Sequence, residues 1–143
     1  MTALTDNRNT PQSLGGNRVG KAVAGVLIFA GAIVMRNAAG LLTKGQTANG
    51  LVAVGRADDQ VDNRLGADGD LDVPFNAGLF RYANSAGADE ITAADIGSLA
   101  FVADDQTVAK TDGGGTRSRA GFIDNVDAQG VWVRFDEALT NAG

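Results

Sequence analysis

From Val23 onward, apolar residues come in short runs separated by turn-forming clusters. Val26-Leu27-Ile28-Phe29 and Ala32-Ile33-Val34-Met35 flank Ala30-Gly31, and the turn Asn37-Ala38-Ala39-Gly40 leads into Leu41-Leu42-Thr43. Runs this short, rich in β-branched residues and bounded by glycine and asparagine, predict strands. Ala48-Asn49-Gly50 then precedes Leu51-Val52-Ala53-Val54-Gly55-Arg56-Ala57. Asn-Gly supplies the positive φ of a tight turn, so it predicts a hairpin between its flanking runs.

The second half continues the pattern. Leu71, Val73 and Phe75 alternate with Asp70, Asp72 and Pro74, the signature of a half-buried strand. After the turn Asn76-Ala77-Gly78, residues 79–83 are expected to return antiparallel. One helical turn is expected, opened by Thr92 as cap and stopped by Gly97. Strands are expected over 99–103 and 107–110, and a final hairpin over 120–126 and 131–135. Asp112-Gly113-Gly114-Gly115 reads as a flexible hairpin tip. The sum is about nine or ten short strands at 8–12-residue spacing with one helical turn, an all-β chain folded as a small barrel or sandwich.

Residues 1–21 are polar and turn-rich and have no periodicity, so they read as an extended N-terminal arm. A frayed end and an arm that orders on a partner both fit that composition. Residues 22–136 form the expected barrel domain, and residues 137–143 a frayed tail.

Composition narrows the chemistry. The 143 residues suit one domain, and 20 glycines against 2 prolines fit many tight turns. There is no cysteine and no histidine, which excludes Cys/His zinc sites, Ser-His and Cys-His dyads and a histidine base. Carboxylate chemistry alone stays open, but aromatic residues are only 6%, too few for a deep sugar-binding cleft, so no enzyme and no cofactor are expected. A net charge of −5 argues against a nucleic-acid partner. The apolar stretch 22–35 is too short for a membrane span and is broken by Gly25 and Gly31, so a soluble protein without a leader peptide is expected.

Several motifs invite a functional reading. Asp58, Asp59, Asp62, Asp68, Asp70 and Asp72 crowd one segment with Arg64 as its only base. Asp68-Gly69-Asp70-Leu71-Asp72 opens like a calcium loop, but Val73 and Leu79 stand where an EF-hand needs glycine and glutamate, so no metal is expected. Asp112-Gly113-Gly114-Gly115-Thr116 lacks the lysine and the following helix of a phosphate loop. Arg117 and Arg119, two apart on an expected strand, share a face that can meet an acidic partner or simply solubilise a sheet. Trp132 is out of phase with Val131, Val133 and Phe135; if those three face the core, it faces outward and becomes an interface candidate. Arg8, Pro11 and Arg18 of the arm complete the candidate interface.

Taken in order, Leu51 to Ala57, the acidic loop, Gly78-Leu79-Phe80-Arg81-Tyr82-Ala83-Asn84, Ile91-Thr92-Ala93-Ala94-Asp95-Ile96-Gly97, Phe101 to Val108, Arg119-Ala120-Gly121-Phe122-Ile123 and Gly130-Val131-Trp132-Val133 resemble phage head proteins of the capsid decoration or structural cement family. The resemblance spans about residues 22–135. It implies a compact barrel similar to the β-tulip fold of lambda-type decoration proteins. It also implies a homotrimer on the outer capsid surface of a tailed phage, made in the host cytoplasm and bridging major capsid protein subunits. The arm would be the clamp. It carries no catalytic residue over. A tail-tube or head-completion subunit is the alternative within structural proteins, and a carboxylate-based hydrolase the alternative outside them.

Overall fold

A computed structural model describes residues 2–143. The strands are β1 (Asn17–Lys21), β2 (Leu27–Ile28), β3 (Ile33–Arg36), β4 (Leu42–Lys44), β5 (Val52–Ala57), β6 (Val61–Asp62), β7 (Asp72–Asn76), β8 (Gly78–Asn84), β9 (Leu99–Val102), β10 (Thr107–Ala109), β11 (Arg119–Asp127) and β12 (Gly130–Phe135). Short 3-10 turns cover Gly87–Asp89 and Ala93–Asp95, and one helix, α1, covers Glu137–Ala142.

Five strands close a small barrel in the order β11-β12-β8-β10-β9, with β9 pairing back onto β11. All its pairings are antiparallel except β8 with β10. Alternation along β12 decides what fills it: Val131, Val133 and Phe135 are buried, while Trp132 and Arg134 lie on the outer face. Tyr82 stands edge-on to Phe135 at 5.7 Å between ring centres, and Ile91, Val102, Val108 and Ile123 complete the core. A bulge at Asp124 shifts the β11–β12 register between Ile123 and Asn125, adding the bend that closure of a short barrel needs.

The N-terminal strands wrap a second core. β5 is the shared wall: it pairs with β3 along one edge, and with β11 and then β7 along the other. Ile33, Met35 and Ala53 point to the barrel core, whereas Val34 and Val54 point to the second cluster with Ile28, Leu42, Val73 and Phe75. Those strands therefore read as continuous apolar runs because both faces are covered. β1 pairs with β7, β4 with β3, and one bridge from Ala22 to Leu42 joins the two ends of this layer. β2 and β6 form a separate two-stranded ladder.

The small all-β barrel expected from the sequence is present; several local expectations are corrected. Asn49-Gly50 makes a turn, with Gly50 at φ 76°, but not a hairpin: β4 and β5 both pair with β3, so the loop crosses over it. The turn at Ala77 is likewise no hairpin, because β7 stays with β1 and β5 while β8 enters the barrel. Gly55 permits that crossing, since a Cβ there would lie 2.0 Å from the Asn76 carbonyl oxygen. The glycines at 113–115 do not tip a hairpin either, because β10 and β11 pair with other strands. β1 falls inside the stretch read as arm; Gly20 lies against Leu42 and fixes that strand on the layer.

The tail read as frayed is α1. Asp136 caps it by accepting the Leu139 N–H at 3.1 Å, Thr140 is fully buried, and Arg36 grips Glu137 through Nε at 2.9 Å. Among the described residues, no helix is long and apolar enough to cross a membrane.

Candidate functional site

Five of the six aspartates in the acidic segment spend their carboxylates on its own backbone and neighbours. Asp58 accepts both hydrogen bonds of the Asn76 amide at 2.8 Å, Asp68 accepts the Ala24 N–H at 2.7 Å, and Asp70 the Ala67 N–H at 2.8 Å. Asp72 pairs with Lys21 across the β1–β7 ladder. Arg64 chelates Asp62 through Nε and Nη2 at 2.8 and 2.7 Å, holding that carboxyl at about 2. Among the described residues, no three acidic side chains converge where a cation would sit. Asn63, 2% exposed, ties the loop down by donating to the Val23 and Ala67 carbonyls at 2.7 and 3.0 Å.

Residues 2–14 are exposed throughout and take up no helix or strand, with Leu4 73% and Leu14 102% exposed. Arg8 and Pro11 therefore stand in solvent, while Arg18 sits on β1 and donates from Nε to the Gly15 carbonyl at 3.0 Å. Leu14 and Arg18 also border a shallow depression with Arg134 and Asp136, so the root of the arm lies over the junction of the two layers. The outer edge of β1 has no partner strand over residues 17–20 among the described residues.

Arg117 is not on a strand, contrary to the sequence reading: β11 begins at Arg119. Gly113, Gly114 and Gly115 all adopt positive φ, and the Thr116 and Arg117 N–H groups both donate to the Asp112 carbonyl at 2.9 Å. That tight loop turns Arg117 back onto Asp89 at 3.3 Å and the Thr111 carbonyl at 3.1 Å. The Thr111 hydroxyl and then Arg117 hold the Asp89 carboxyl below its ordinary value. Arg119 is turned to α1, where it donates to the Thr140 carbonyl at 3.2 Å and to the Gly143 carbonyl. Both arginines nevertheless border one depression of about 470 Å³.

Trp132 lies outward, as its phase requires, but is not free. Its indole N–H donates to Asp127 at 3.2 Å, and the Arg81 guanidinium lies 5.7 Å from the ring centre. The Gln129 N–H, more than Trp132, holds the Asp127 carboxyl below its ordinary value. The candidate residues thus fall into three separate places: the arm with its β1 root, the Arg117–Arg119 depression, and the Trp132–Arg81 platform.

Comparisons with protein-family models, curated proteins and solved structures give no match to this chain. The geometry therefore stands alone beside the motif series. Leu99 and Phe101, expected on a strand but not among the candidate interface residues, are half-buried on the outer side of β9. Their signal was the unbroken run Leu99-Ala100-Phe101-Val102, apolar in both strand phases.

Proposed function

We propose that the chain is a structural, non-enzymatic virion protein. In this reading it decorates and cements the outer surface of a tailed-phage capsid, bridging major capsid subunits as a trimer. The observation that carries this reading is the arm: residues 2–14 are exposed and run into a strand whose outer edge is unpaired over 17–20. Exposed apolar side chains at Leu4 and Leu14 and a row of open main-chain donors and acceptors suit addition to another chain's sheet. The compact barrel behind the arm and the ordered motif series support the same reading. Three such arms on one trimer turn individually weak contacts into firm attachment.

The test is to mix the purified protein with expanded heads that lack decoration. Saturable binding and a higher head disruption temperature are expected, and deletion of residues 2–16 should remove both. Heads that take up none of the intact protein would overturn the reading. Label confined to tails would favour the tail-tube alternative.

A further inference from the structure

The outer wall of the barrel carries apolar side chains where solvent calls for polar ones. Ala100 and Val102 of β9 are fully buried inside, so Leu99 and Phe101 face outward, and both remain half-buried. With Leu51 they line the depression of about 470 Å³ that Arg117 and Arg119 border, a size in the range of ligand pockets. Asn49 stands at its rim, exposed and without a side-chain hydrogen bond among the described residues. Asp112 is the one acid among the residues that line it, and of the two arginines Arg117 is already paired with Asp89, which leaves Arg119 as the cation open to a partner.

Arg119 keeps donors in reserve. Arg119 uses Nη1 for both of its contacts with α1, so its Nε–H and Nη2 donors meet no acceptor among the described residues. Arg117 is held through Nη1 against Asp89 and the Thr111 carbonyl, so its charge is met within the chain and Arg119 is the one that faces a partner. A guanidinium with a free edge beside the side chains of Leu99 and Phe101 selects a planar carboxylate with a hydrocarbon neighbour. Two arginines with an adjacent aspartate are too few for a polyanionic strand.

We infer that this depression docks a partner protein's acidic segment, one in which an apolar side chain sits next to an Asp or Glu. The apolar group covers Leu99 and Phe101, and the carboxylate takes the free edge of Arg119. The inference does not depend on the capsid reading, and its test uses the isolated protein, so either can fail without the other.

The probe is the capped peptide Glu-Leu-Phe-Glu, titrated into the isotopically labelled full chain and followed through amide shifts. Its charge-reversed twin, Lys-Leu-Phe-Lys, is the control. Saturable shifts at Leu99, Phe101 and Arg119 are expected with the acidic peptide, weakening as salt rises, and none with the basic one. Asn49→Asp places a carboxylate at the rim without touching the core, and should weaken the acidic peptide about fivefold, the scale of one exposed charge pair. Asn49→Lys should strengthen it, and Phe101→Ser should abolish it, with melting of the Asn49 variants unchanged. Equal binding of both peptides, shifts elsewhere on the surface, or indifference to the charge at position 49 would overturn the inference.

Discussion

The two layers of the molecule enclose cores of the same kind and are shut by different means. The barrel of β8 to β12 is closed by main-chain ladders on every side, including the return of β9 onto β11. The N-terminal layer is joined end to end by the single Ala22–Leu42 bridge and the Val23 N–H to Leu42 carbonyl bond at 2.9 Å. Its β2, β4 and β6 are only two or three residues long. With so little ladder, side chains satisfy the loop backbone: Asn63, Asp68 and Asp70 each bond a main-chain group. The lesson is that most of the aspartates crowding residues 58–72, Asp68 and Asp70 above all, are local fasteners of a layer with short strands.

The harshest way to break this comparison is to empty the barrel core. Phe135 is 1% exposed and packs on Tyr82 and Phe80, so Phe135→Ala should cost about 3–5 kcal/mol. Chemical denaturation followed by Trp132 fluorescence measures it. Because Ile33, Met35 and Ala53 of the N-terminal strands also line that core, both layers should lose protection together. Survival of the N-terminal layer in native-state hydrogen exchange would show that the layers fold independently.

Removing the main fastener should act on one side. Asn63→Ala strips the Val23 and Ala67 carbonyls of their partner and leaves a small cavity, at a cost of about 2 kcal/mol. Exchange should rise around 22–28 and 61–71 while β8, β11 and β12 keep their protection. Uniform loss across both layers would mean that closure by side chains carries no local meaning.

A smaller probe sits where the layers meet. Tyr82 belongs to the barrel, yet its hydroxyl donates to the Gly31 carbonyl of the other layer at 2.7 Å. Burial raises the phenol's pKa above its ordinary value near 10. The stability it contributes is therefore complete below about pH 10 and is lost as pH rises beyond that. Tyr82 is the chain's single tyrosine, so phenolate absorbance should appear only together with unfolding. Ionisation near pH 10 with the fold intact would remove the buried bridge from the account. Tyr82→Phe should cost about 1 kcal/mol at neutral pH.

Strand positions were legible in the sequence because period-two patterning and turn residues are local signals. Val131, Val133 and Phe135 point inward and Trp132 outward, as their phase requires. Partners were less legible. Asn49-Gly50 and Asn76-Ala77-Gly78 encode a change of direction, but which strand receives the chain depends on long-range burial, so β3 and β12 won pairings expected of local neighbours. α1 was missed because six residues give little periodicity; its stability comes from Arg36 and Arg119, distant in sequence. Of the candidate interface, the outward Trp132 and the exposed arm were readable from phase and polarity. The meeting of Arg117 with Arg119 beside Leu99 and Phe101 was not, since it needs the glycine loop to fold back and β9 to pair with β11.

The smallest effect is expected on the outer face of the barrel. Trp132→Ala removes the indole bond to Asp127 and the contact with Arg81, both on the solvent side, and leaves Val131 and Val133 packed. An exposed cation–π contact is worth about 0.5–1 kcal/mol, so melting should move by only a few degrees. Asp127 also accepts the Gln129 and Gly130 N–H groups at 2.8 and 3.1 Å, so the β11–β12 turn should persist without the indole. If the chain decorates heads as proposed, the informative readout is head binding by the same variant. A loss of attachment far larger than the loss of stability would place the Trp132–Arg81 platform in the contact with the capsid. Unchanged attachment would leave the arm to carry it, and would make the outer face of β12 a wall of the barrel and nothing more.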